Sequence, residues 1–142
     1  MTGWGRSVLA GAVWAAALVL GGCSAAAPAP VSSSPAPTVT ASLPPGGVYL
    51  TTLGVSYAPA GFSIPAQVKP LNGYAMPGVV DVAFSGSDGP VVYNYLVANL
   101  AAMGYTITAQ SDDSLLWNDD AWEGGFTMTT DRAAITLRTR TA

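Results

Sequence analysis

The chain has no histidine, a single cysteine (Cys23) and a single lysine (Lys69), and only 9% of its residues are charged. Without histidine, the commonest general base, the commonest zinc ligand and the usual switch near neutral pH are all missing. Serine and threonine nucleophiles therefore have only Lys69 as a base, and its Val-Lys-Pro setting contains no Ser-x-x-Lys arrangement. There is no CxxC pair and no glycine-rich phosphate loop. No catalytic residue, cofactor or metal is expected from such a repertoire. The charged fraction is far below the roughly 25% usual for soluble globular chains, so solubility has another source or a membrane lies close by. All acidic residues lie beyond residue 80, while the basic ones are Arg6, Lys69, Arg132, Arg138 and Arg140. The portion beyond the first two dozen residues is thus mildly acidic, which argues against nucleic acid as a partner.

What is present begins with a three-zone leader. Met1 to Ser7 carries Arg6 and the amino terminus, and Val8 to Leu20 is an uncharged, mostly apolar run. That run is shorter than the roughly 20 apolar residues of a bilayer-spanning helix and matches a signal-peptide core. Leu20-Gly21-Gly22-Cys23 follows. This segment resembles the lipobox of bacterial lipoprotein precursors, in which an aliphatic residue and two small ones precede an invariant cysteine. The resemblance implies a diacylglycerol on the Cys23 thiol, cleavage between Gly22 and Cys23, and a covalent lipid anchor on the extracytoplasmic face of the cell membrane. A lipid also accounts for a lone thiol in an oxidising compartment. Each buried methylene contributes ~0.8 kcal/mol, so two acyl chains hold where one binds marginally.

Residues 24–47 contain no charge and no aromatic ring, and proline recurs among alanine, serine and threonine. Such a composition cannot bury enough surface to offset ordering entropy and reads as a disordered, partly polyproline-II spacer. Its reach is between about 27 Å as a coil and about 75 Å when extended. Ser32 to Ser34, Thr38 and Thr40 sit in a setting that suits O-glycosylation. The domain plan is therefore a cleaved signal over 1–22, a lipidated cysteine and linker over 23–47, and a folded domain over 48–142.

In that domain, Val80, Val82 and Phe84 alternate with polar or small residues as a half-buried strand does. Ser87-Asp88-Gly89-Pro90 signals a helix start, with Ser or Asp as the cap. Val92, Leu96, Leu100 and Met103 form one helical stripe, and Gly104 stops it. Tyr105 to Gln110 alternates again, with Ile107 and Ala109 inward. Short strands follow at Leu115 to Trp117, Gly125 to Thr130 and Ala134 to Arg140, the last with Arg138, Arg140 and Thr136 on its outer face. Residues 48–78 are crowded with proline and glycine, and one strand near Val48 to Tyr57 followed by loop is expected. The fold class is α+β, a small two-layer sandwich with one helix on a mostly antiparallel sheet. Met76-Pro77-Gly78 with the later Leu100-Ala101-Ala102-Met103-Gly104-Tyr105 resembles, in general pattern, small domains of exported actinobacterial proteins. That resemblance implies no particular activity.

The most conspicuous surface stretch is acidic: Asp112, Asp113, Asn118, Asp119, Asp120 and Glu123. EF-hand spacing is not met from any of these residues, and a solvated hairpin turn is the expected reading. Two carboxylates among Asp119, Asp120 and Glu123 would be required for glycan hydrolysis, across a cleft that a domain of this size rarely forms. Trp117 and Trp122 flank the same turn. Trp117 is expected chiefly to pack in the core, and Trp122 equally to pack or to bind. Trp117, Asp119, Asp120, Trp122 and Glu123 together form the candidate binding surface. The functional expectation is a non-catalytic binding or scaffolding lipoprotein whose partner is an envelope protein or a cell-wall component. The alternatives are a carrier holding an apolar ligand among Leu96, Leu100, Met103, Phe126 and Met128, and, further off, a cell-wall glycan hydrolase.

Overall fold

The computed structural model describes residues 42–140. The expected leader, the expected Gly22–Cys23 cleavage site and the expected spacer up to residue 41, with its candidate glycosylation positions, lie outside them. The chain runs through β1 (Gly47–Tyr49), β2 (Ser63–Pro65), β3 (Asn72–Met76), β4 (Val79–Ser85), a 3-10 turn (Gly86–Asp88), α1 (Gly89–Asn99), β5 (Thr106–Gln110), β6 (Ser114–Asn118), β7 (Trp122–Met128) and β8 (Arg132–Thr139). The first two strands pair with each other, and the other six form one sheet in the order β3-β4-β8-β7-β6-β5. Every neighbouring pair is antiparallel. The domain is thus mostly antiparallel sheet, with a single α-helix among the described residues. No helix in this region is long and apolar enough to cross a membrane.

The core follows from alternation. Val80, Val82 and Phe84 of β4 are buried, as are Ala133, Ile135 and Leu137 of β8, Phe126 of β7, and Leu115 and Trp117 of β6. The register sets these against one another, Val82 opposite Ile135, Ile135 opposite Phe126, and Phe126 opposite Leu115. One face of the sheet is therefore a continuous apolar surface, because side chains two apart on a strand share a face. Val92, Leu96 and Leu100 from the helical segment are buried against it. The segment around β1 and β2 completes the cover. Phe62 lies edge-on to Tyr105 at 5.6 Å and stacks on Trp117 at 5.9 Å. Buried Ser63 is hydrogen-bonded through Oγ to Tyr95 Oη at 2.8 Å and to Met103 Sδ at 3.2 Å, so its hydroxyl enters the core satisfied.

Several local expectations are corrected. Residues 48–78 contain three short strands rather than one. The folded part also reaches back to Pro44, which is buried and accepts a bond from Gly47 N. The cap at the helix entry is Ser85, whose Oγ accepts from Asp88 N at 3.3 Å, while Asp88 makes no side-chain cap to α1. Pro90 does occupy the first helical turn. The α-helix ends at Asn99, and Leu100 and Met103 continue its apolar stripe through a turn in which Tyr105 N bonds to Leu100 O. Gly104 has the positive φ expected of it, +92, but it closes the turn after the helix and is not the helix stop. A bulge between Ile107 and Ala109 breaks the alternation of β5; it leaves Ala109 exposed instead of inward. β7 begins at Trp122, ahead of the expected Gly125, and β8 ends at Thr139 with Arg140 beyond it.

Candidate functional site

The five residues of the expected binding surface do not share a surface. Trp117 is 1% exposed and belongs to the core. Its indole lies over Gly124 on the neighbouring strand, so closely that a Cβ at 124 would overlap Cε2 and Nε1. Trp122, half-buried, packs against the same core from the start of β7. Glu123 follows it and, by strand alternation, points to the opposite face. It is exposed and stands in register with Asn118 and Arg138. Asp119 builds the β6–β7 turn: its Oδ1 accepts from Ala121 N at 2.7 Å and from Trp122 N. Its carbonyl oxygen accepts from Arg140 Nη1 at 2.7 Å. Asp120 is exposed at the turn tip.

The acidic stretch is likewise divided. Asp112 and Asp113 sit in the β5–β6 turn, where Asp113 Oδ1 accepts from Ser111 Oγ at 2.9 Å. Asp119 and Asp120 sit at the other end of β6, roughly 17 Å away for a five-residue strand. Among the described residues no group of three or more His, Cys, Asp or Glu side chains is placed to hold a metal ion. The Tyr105 phenol is pushed well above its ordinary range by burial and, secondarily, by the Asp119 carboxylate.

A different constellation occupies the outer face of the sheet. Thr108, Leu116, Asn118, Glu123, Gly125, Thr136 and Arg138 line a groove of about 390 Å³. Its origin lies in the cross-strand rows. Leu116, Gly125 and Thr136 form one row, and Asn118, Glu123 and Arg138 form the next. Gly125 contributes no side chain, so the first row has a gap at its centre, walled by Leu116, which is 50% exposed. Thr136 Oγ1 donates to Asp81 Oδ1 at 2.6 Å, which fixes the hydroxyl at the groove edge. The site offers a carboxylate, a guanidinium, an amide and hydroxyls around a floor of bare backbone. Donors and acceptors of both charges are thereby gathered on one face of the sheet.

Thr136 and Arg138 lie on the outer face, as strand alternation predicts, but alternation alone does not reveal the groove. The signal was Gly124-Gly125 inside a strand, where one glycine admits the indole on one face and the other opens the opposite face. The side chains that a carrier would use are mostly closed. Leu96, Leu100 and Phe126 are fully buried and Met103 is nearly so. Met128, half-buried, borders an open cleft with Pro90, Thr129 and Thr130 at one end of the sheet. No protein-family model matches the chain, and neither a curated protein nor a solved structure is significantly similar to it.

Proposed function

We propose that the chain is a lipid-anchored envelope protein whose sheet-rich domain is a non-catalytic binding or scaffolding module. The helix and the β1–β2 segment form the second layer of an α+β sandwich, and the outer face of the sheet is the working surface. The observation that carries this reading is the groove floored by Gly125 and flanked by Glu123 and Arg138. Its mixed polar lining suits a partner rich in hydrogen-bonding groups, whether an envelope protein or a cell-wall component. Full burial of Leu96, Leu100 and Phe126 supports docking at this surface over carriage of an apolar ligand in the core.

The test is capture from detergent-solubilised envelope by the full chain, with the double substitution Glu123→Ala, Arg138→Ala as comparison. The expected result is a partner retained by the wild type and lost by the variant. Turnover of a cell-wall glycan by the wild type, abolished by substituting Asp119 or Glu123, would overturn the proposal.

A further inference from the structure

The six-stranded sheet has two edges, and they are treated differently. β5 is bulged between Ile107 and Ala109 and runs into a turn bearing Asp112 and Asp113. Bulges and charges are among the devices by which sheet edges avoid pairing with other chains. β3, at the other edge, has neither. Its sequence, Asn72-Gly73-Tyr74-Ala75-Met76, carries no charge, and from Ser42 to Val80 the only charged residue is Lys69. Tyr74 is 59% exposed, Met76 44% and the neighbouring Leu71 60%. Clefts flank the strand on both sides, one of about 470 Å³ against Leu53 to Ser56 and Pro70, and one of about 260 Å³ beside Tyr74 and Asp81.

The register fixes which backbone groups are open. Met76 pairs with Val79 across the two-residue Pro77-Gly78 turn, with Gly78 at φ +80. In such a hairpin the residues flanking the turn are hydrogen-bonded to each other, and bonding alternates along the strand. Met76, Tyr74 and Asn72 therefore face β4, and Gly73 and Ala75 turn their N–H and C=O groups to the open edge. Leu71 N also points inward, bonding to Ala83 O at 2.8 Å. Pro70 and Pro77 close the window at either end, since proline has no N–H to donate.

We infer that this edge pairs with the same edge of a second copy of the chain. An antiparallel two-fold pairing centred on Tyr74 sets Gly73 opposite Ala75 of the other copy and Ala75 opposite Gly73. All the open groups of both residues are then used, in about four interchain hydrogen bonds. Centring on Gly73 or Ala75 instead uses about half as many, because Leu71 N and the prolines have nothing to offer at the ends. The favoured register is self-complementary, as an isologous contact must be. With no charge on the strand, no like charges meet across the axis. Tyr74 meets its own copy in a non-hydrogen-bonded pair, where Cα atoms are ~4.5 Å apart and a disulfide can form.

The experiment uses the full chain purified in mild detergent. Sedimentation with the detergent contribution subtracted should give twice the chain mass for the wild type and the single-chain mass for Tyr74→Lys, with unchanged circular dichroism. Under mild oxidation, Tyr74→Cys should give a dimer bridged at position 74 by peptide mapping, and Ala83→Cys, on the same face one strand inward, should not. A monomeric wild type, a dimer indifferent to Tyr74→Lys, or equal cross-linking at 74 and 83 overturns the inference. So does a different polypeptide that occupies the edge and is lost in Tyr74→Lys.

Discussion

Gly124 lets the Trp117 indole lie flat across β7, and no other residue type fits beneath that ring. Gly124→Ala is expected to destabilise the domain by about 2–3 kcal/mol through overpacking, measured by urea unfolding. In a Trp117→Leu background the same substitution should have a much smaller effect, because the clash is with the ring; equal effects in both backgrounds would assign the loss elsewhere. Trp117 Nε1 has no hydrogen-bond partner in its buried position, so packing alone holds this side chain in place. Tyr105 makes a pH prediction. Burial first and the Asp119 charge second raise its folded pKa above the unfolded value of about 10. Below pH ~10 both states keep the proton and stability is unaffected by this group. Above it the unfolded chain loses the proton first, so stability falls as pH rises toward the folded pKa. Urea midpoints between pH 8 and about 11 should show that decline in the wild type and a weaker one in Tyr105→Phe.

Among the elements, the β6–β7 turn depends most on one side chain. Asp119→Ala removes two bonds to backbone N–H groups and should lower stability by about 1–2 kcal/mol. Asp119→Asn keeps an acceptor oxygen and should recover most of that loss, with thermal midpoints of the three proteins as the readout. The elements legible in the sequence are those with one wet and one dry face. β4 and β8 alternate cleanly between buried and half-exposed residues, and their positions follow from that pattern. β2 is buried at every position and β3 is exposed at nearly every one. Neither shows the contrast between faces on which periodicity rests. The start of β7 was hidden by the same glycine pair that makes the groove, since Gly124-Gly125 reads as a turn until a strand on each side is known. The bulge in β5 shifts the parity of every residue after it, so simple alternation puts Ala109 on the wrong face.

At the scale of the whole molecule, a contiguous signal and an assembled site differ in what a sequence can display. A lipobox is a contiguous peptide signal, whereas the groove is assembled from β5, β6, β7 and β8, whose contributing residues are far apart in sequence. Only Glu123 and Trp117 of the expected surface border it, and Trp117 does so as a core residue. The proposed anchor carries its own prediction. Cys23→Ala should abolish incorporation of labelled palmitate and leave the precursor uncleaved or released; a labelled, membrane-bound variant would refute the anchor. The sheet order carries a further consequence. β8, the last of the described strands in chain order, lies between β4 and β7. Without it, the large sheet divides into a β3–β4 hairpin and a β5–β7 meander that are not paired with each other. A ribosome that still holds residues 132–139 therefore holds a chain whose large sheet is incomplete. A proteolytic clip before residue 132 should therefore release no folded product.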